Sequence, residues 1–188
     1  MKELSHYPVF ARLLRYPTSE LGNDINTCRE ILLRKYDPGI VTGLSDFSRH
    51  VTETPLAFQQ EYYTGTFDVQ PVTTLDIGYL LFGDDYRRGV FLVNMQREHI
   101  KAGNDCGKEL PDHLPDILNL LPLISDPAFT EELVCSLLIP ALTEMIVRFR
   151  KKENHYRGLL ELLLKIIEND FPDSEYERFK FNTRHRVE

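Results

Sequence analysis

GNDCGKELPDHLPDILNLL, Gly103 to Leu121, is the stretch on which the fold turns. Its first half cannot be the interior of a helix, because Pro111 and Pro115 each lack an N–H and restrict the residue before them. Its second half reads as a helix entrance. Asp112 is a good N-cap, and Pro115 in the first turn gives up only an N–H that has no partner within the helix. Leu114, Ile117, Leu118 and Leu121 then fall at i, i+3, i+4 and i+7, one apolar helix face. The chain is therefore expected to leave a Gly-rich loop, display Glu109, Asp112 and His113 at the positive end of a helix, and bury the leucines behind them.

The same punctuation extends in both directions. Upstream, Tyr7 to Arg15 reads as a helix stopped by Pro17, and Ser19-Glu20 opens a second with Ile25, Cys28, Ile31 and Leu32 inward, ended by Asp37-Pro38-Gly39. A shorter segment spans 40–51. Thr54-Pro55 supplies N-cap and first position for a helix bearing Phe58, Tyr62 and Tyr63. The chain restarts at Thr73 or Thr74 with Leu75, Tyr79 and Phe82 in helical register, and Gly83 is placed to close that helix in a left-handed cap. Asp84 and Asp85 open the next, which runs through Tyr86, Val90, Val93 and Ile100 to Gly103.

Downstream, Asp126-Pro127 starts a long apolar pattern from Phe129 to Phe149, in which Pro140 predicts a kink or a division into two helices. Asn154 caps a last helix with Tyr156, Leu159, Leu160, Leu163 and Ile167. Strand alternation does not persist, and neither Asn-Gly nor Asp-Gly occurs. The expected fold is all-α: one domain, residues 1–188, a bundle of about eight or nine helices, with the charged stretch 171–188 a loosely attached tail.

A chain of 188 residues buries enough apolar surface to fold without disulfides or metals, and its net charge of −7 argues against a general nucleic-acid binder. A partner carrying positive charge suits it better. Cys28, Cys106 and Cys135 are far apart and form no CxxC pair, which reads as reduced packing thiols and gives no zinc or iron–sulfur signature. The N-terminal MKELSHYPVF lacks the apolar run of a signal peptide, so a cytoplasmic location is expected. Leu133 to Leu142, broken by Ser136 and Pro140, is too short to span a bilayer.

Glu98-His99, Asp112-His113 and His155 raise the question of catalysis. All-α metal-dependent phosphohydrolases use a His-Asp doublet; here the order is reversed and no HExxH spacing supports it. Gly83-Asp84-Asp85 and Gly103-Asn104-Asp105 lack the glycine spacing and lysine of a phosphate-cradling loop, and their carboxylates would repel phosphate. No metal, nucleotide or other cofactor is expected. What remains is recognition: an acceptor-rich edge beside leucines, into which a basic amphipathic segment would fit, set against the plainer reading that Asp112 is only a cap and His113 only satisfied by a carbonyl.

The blocks Tyr63-Thr64-Gly65-Thr66-Phe67-Asp68, Leu80-Leu81-Phe82-Gly83-Asp84-Asp85-Tyr86-Arg87-Arg88-Gly89, Ala102-Gly103 and Glu109-Leu110-Pro111-Asp112-His113-Leu114-Pro115 together resemble, in order and spacing, the NarJ-like nitrate reductase delta-subunit chaperones. These are placed in the redox-enzyme maturation group with the chaperones of dimethyl sulfoxide and trimethylamine N-oxide reductases. The resemblance covers Glu61 to Leu121 well, and Leu13-Leu14-Arg15-Tyr16-Pro17 echoes it near the start.

It implies an all-α, cytoplasmic, non-enzymatic chaperone, monomeric or homodimeric. Its partner would be the catalytic subunit of a molybdenum oxidoreductase, bound through the N-terminal segment while the bis-molybdopterin guanine dinucleotide cofactor and iron–sulfur cluster are inserted. Where relevant, export by the twin-arginine route would be delayed. The peptide-binding residues that the resemblance implies are Glu61, Tyr62 and Tyr63 and then Pro111, Asp112, His113 and Leu114; capture of a helix in a groove would add Leu110 as an apolar contact and Glu109, Asp84 and Asp85 as carboxylates for its basic residues. Thr64-Gly65 stands where several relatives have an arginine and a large apolar residue, which bears on how Tyr62 and Tyr63 contribute; Leu75-Asp76-Ile77-Gly78-Tyr79 and Asn104-Asp105-Cys106-Gly107 depart from a standard nitrate reductase chaperone and leave open another periplasmic or membrane-associated molybdoenzyme as client. Two other readings stand beside this one: a metal-dependent hydrolase using His99, Asp112, His113 and His155, and a structural subunit of a redox complex.

Overall fold

The computed structural model describes residues 3–149, 153–172 and 174–181. Among them the regular structure is helical, apart from one isolated antiparallel bridge between Asp76 and His113. The α-helices are α1 (Tyr7–Leu13), α2 (Leu21–Lys35), α3 (Ser45–Glu53), α4 (Leu56–Phe67), α5 (Ile77–Phe82), α6 (Tyr86–Ala102), α7 (Leu114–Leu120), α8 (Pro127–Glu132), α9 (Ile139–Arg148) and α10 (His155–Asp170). A π-helical stretch, Leu133–Leu138, joins α8 and α9 into one rod, so the described residues form nine helical rods. The all-α bundle expected from the sequence is the fold.

Local chemistry sets most boundaries. Asp85 accepts the Arg87 N–H at the start of α6, Asp126 accepts those of Ala128 and Phe129 at α8, and Asn154 accepts that of Tyr156 at α10. Gly103 ends α6 in the left-handed region, at φ 66° and ψ 24°. Gly83 also has positive φ, but its ψ of −134° makes the closure of α5 extended rather than a left-handed cap. Pro55, not Thr54, occupies the N-cap position of α4. α5 begins at Ile77, later than Thr73 or Thr74, because residues 75–77 pair with 112–114.

α10 lies at the centre, with Leu159, Leu160, Leu163, Ile166 and Ile167 fully buried against α9, α3 and the 3₁₀ turn Pro38–Leu44. Each such side chain contributes about 1.5–3 kcal/mol on burial. α1 packs between α2 and α7, and α5 between α6 and α9. α4 docks by the rings of Tyr63 and Phe67 on Tyr156, and the Tyr63 hydroxyl donates to the Leu14 carbonyl (3.3 Å).

Pro140 sits in the first turn of α9, and the π-helical stretch behind it separates α8 from α9 without breaking the helical run, so the expected pair of helices meets through a π-helical join. Having no N–H, Pro140 cannot serve the Ser136 carbonyl four residues earlier. The Phe179 N–H donates to that carbonyl at 2.9 Å. The Phe179 ring packs edge-on against Phe82, and Phe171, Tyr176 and Phe181 also touch the core. The described part of 171–181 is therefore fastened to the bundle, where its charged composition pointed to loose attachment; 182–188 lie outside the described residues. No described helix is long and apolar enough to cross a membrane.

Candidate functional site

The corner before α7 is built by backbone pairing with the segment before α5. The Ile77 N–H donates to the Asp112 carbonyl (3.0 Å) and the Leu114 N–H to the Leu75 carbonyl (2.8 Å). α7 starts at Leu114, so His113 holds the N-cap position and Asp112 lies one residue outside it. Asp112 is therefore not the cap, and it is 0 % exposed. One carboxylate oxygen accepts the Gly78 N–H (3.1 Å) and stands 3.7 Å from Arg88 Nε, while the other has no partner among the described residues. Burial and the nearby Asp76 raise the Asp112 carboxyl above its ordinary range, against the pull of Arg88 and the N–H donors. The carboxylate expected to meet a partner is part of the scaffold.

Other contacts lock the corner further. Asp116, also fully buried, accepts from Arg15 (2.6 Å) and lies 3.2 Å from His113 Nδ1. His99 Nε2 is 2.9 Å from the Pro111 carbonyl, and its Nδ1 faces the Asn104 amide, which also donates to the Asp116 carbonyl. The Nε2–H tautomer satisfies both ring contacts. Pro111 and Leu114 are buried, so within 109–114 only Glu109, Leu110 and the edge of His113 reach solvent.

Beside this corner runs a trough of about 470 Å³. Tyr63, Phe67, Leu75 and Tyr79 give it apolar walls, Asp68, Asp76 and Glu109 give it carboxylates, and Arg88 and His113 close one side. Arg88 is committed, 3.5 Å from Asp76 and over the Tyr79 ring. Burial and the neighbouring Glu109 raise the Asp68 carboxyl, with Asp76 adding to the push and His113 opposing it. Such a site suits a segment that brings apolar side chains and positive charge together.

The other residues expected at one site are divided. Tyr63, Glu109 and His113 line the trough. Tyr62 points elsewhere: it packs on His50, His155 and Tyr156, and its hydroxyl accepts the His155 N–H (3.1 Å). Glu61 and Leu110 are exposed without lining it. Asp84 and Asp85 border a separate depression of about 640 Å³ whose other walls are α9 and residues 179–181, and which shares Tyr79 with the trough. Reading the sequence element by element missed Asp68, Asp76, Tyr79 and Arg88. Their signal was present, since Asp68 and Asp76 bracket the irregular stretch that faces the corner.

The four residues of the hydrolase reading do not converge. His155 pairs with Asp46 beside His50, while His99 and Asp112 are engaged within the corner. No group of three or more His, Cys, Asp or Glu among the described residues is arranged to hold a metal ion. Burial pushes the Cys28 thiol up to about 12 and the Cys106 thiol up to about 11, so both are poor nucleophiles at neutral pH.

In fold the molecule is an all-helical bundle, and beside the corner before α7 it carries a trough with apolar walls and three carboxylates; comparison with known proteins gives that architecture a narrower setting. The chain is 28% identical over 163 residues to the probable nitrate reductase molybdenum cofactor assembly chaperone NarW of Escherichia coli (strain K12), covering 84% of this chain and 66% of that protein. It is equally similar, over 164 residues, to the nitrate reductase molybdenum cofactor assembly chaperone NarJ of the same organism, covering 84% and 67%. The probable NarJ of Bacillus subtilis (strain 168) is 28% identical over 125 residues, 64% of this chain and 67% of that protein. The chain spans about two thirds of the length of these relatives. No family model matches it.

Proposed function

We propose that the protein is a molybdoenzyme assembly chaperone. It binds the N-terminal segment of the catalytic subunit of a nitrate reductase or a related molybdenum oxidoreductase, and assists insertion of the molybdenum cofactor before that subunit reaches the membrane or twin-arginine export. It acts in the cytoplasm and catalyses no reaction of its own. The trough carries this reading: apolar walls from Tyr63, Phe67 and Leu75 stand beside Asp68, Asp76 and Glu109, which offer more negative charge than Arg88 and His113 offset. Similarity to proteins named as molybdenum cofactor assembly chaperones supports the choice of client.

Apolar burial supplies most of the affinity, at roughly 25 cal/mol per Å². Each exposed charge pair at the rim adds only about 0.2–1 kcal/mol. Co-expression tests the reading. The molybdenum content and activity of a candidate client, the catalytic subunit of a nitrate reductase or related molybdenum oxidoreductase, should fall without the chaperone and recover with it. An Asp68→Asn/Glu109→Gln double variant should restore less. Full molybdenum loading in the chaperone's absence would overturn the assignment.

A further inference from the structure

α6 has two apolar faces. Phe91, Met95 and His99 are buried against α5 and the loop before α7. On the opposite side Tyr86, Val90, Val93 and Ile100 are exposed by 80, 54, 51 and 70 %. With Arg97 among them, these positions recur at intervals of four, three, four and three, the spacing of a coiled-coil seam across two heptads. Single exposed apolar residues are ordinary on a protein surface; a continuous row at seam spacing marks an interaction face.

The charges along the row select the occupant. Arg87 and Lys101 lie on one edge and Arg97 lies within the row. Arg87 is paired with Asp85 (3.1 Å) and Lys101 with Glu98 (3.4 Å), whereas Arg97 has no ion-pair partner among the described residues. A second copy laid antiparallel and centred on Asn94 would bring Arg87 against Lys101, and a parallel copy would bring Arg97 against Arg97, so self-pairing meets like charges. An anionic membrane would repel a chain of net charge −7. A helix whose apolar row is flanked by carboxylates meets neither obstacle.

We propose that the outer face of α6 is a docking strip for an amphipathic helix of another protein that carries carboxylates beside its apolar row. None of the strip's side chains lines the trough, so the strip is independent of the assembly role. Seam packing holds the partner helix, Arg97 sets its register by meeting a carboxylate, and Arg87 and Lys101 exclude basic helices.

The probes are two synthetic helical peptides of about three heptads with leucine and isoleucine along the seam, one flanked throughout by glutamate and the other by lysine. Like charge keeps each from pairing with itself. In calorimetry with the full chain, the glutamate peptide should bind one to one, and the lysine peptide at least about tenfold more weakly, a difference of roughly 1.4 kcal/mol. Val93→Glu and Arg97→Glu should each weaken the glutamate peptide by about tenfold or more without lowering the unfolding midpoint, while Asp68→Asn/Glu109→Gln should leave it unchanged. Equal binding of both peptides, or binding indifferent to Val93→Glu and Arg97→Glu, overturns the proposal. So does a Val93-dependent dimer in sedimentation, which assigns the face to a second copy. Val93-dependent binding to phosphatidylserine vesicles overturns it too, assigning the face to a membrane.

Discussion

Gly78 governs how closely the two segments of the site approach. A Cβ there would lie 2.6 Å from the Asp112 carboxylate and 2.8 Å from the Phe91 ring, both of them enclosed. Gly78→Ala should destabilise the fold by about 1–3 kcal/mol in urea titration, as overpacking does. Asp112 takes the complementary part. Asp112→Ala would leave the buried Gly78 N–H without its acceptor, while Arg88 keeps Asp76, costing about 1–3 kcal/mol. Asp112→Asn keeps an acceptor in place and removes the buried charge. Because the folded state raises this carboxyl above its ordinary 3.8, the folded form holds the proton more tightly than the unfolded one, and ionisation costs stability as pH rises beyond that value. The stability of wild type relative to Asp112→Asn should therefore decline from acid toward neutral pH; an invariant difference would show that Arg88 compensates fully.

The helices meet at shared polar anchors as much as at apolar faces. Asp170, the last residue of α10, accepts from Tyr7 of α1 (2.9 Å), from Tyr36 just past α2 (2.8 Å) and from His6 (2.9 Å). Burial alone would raise its carboxyl, but the bonds from His6, Tyr36 and Tyr7 outweigh that and hold it low. Its contribution is present above the ordinary aspartate range and lost as pH falls through the depressed value. Asp170→Asn should cost about 1–3 kcal/mol at neutral pH, and the gap from wild type should close in strong acid; a gap that persists there would mean shape rather than charge is at work. Such links separate what the sequence discloses from what it hides. Asp85, Asp126 and Asn154 act through bonds to the next few residues, and so the starts of α6, α8 and α10 were readable. The pairing of Gly78 with Asp112 spans thirty-four positions and the bond from Phe179 to Ser136 forty-three, and no periodicity reports either. That is why Asp112 looked like an exposed cap and residues 171–181 like a free tail. It also explains Tyr62 and Tyr63: adjacent helical residues point in different directions, and only the packing of α4 decides which one meets the trough.

Taken as one object, the bundle is an acidic molecule with an acid-lined trough between the α4–α5 connection and the corner before α7, and a basic, apolar strip on the outside of α6. The cation preference proposed for the trough should weaken as Asp68 takes up a proton. Because its carboxyl is raised, that loss should begin at a higher pH than for an ordinary aspartate. Affinity for a basic peptide should then fall with pH in calorimetry while the bundle stays folded. The proposed assembly role rests on where a client's leader would sit, and titration of the proposed client's N-terminal peptide into the intact chain addresses this most directly. Asp68→Asn/Glu109→Gln should weaken binding by roughly 2- to 30-fold, the range expected for two exposed charge pairs, and Tyr62→Ala, on the far side of α4, should leave it unchanged. Unaltered affinity in the double variant, with loss in Tyr62→Ala, would place the leader on another face and contradict the account.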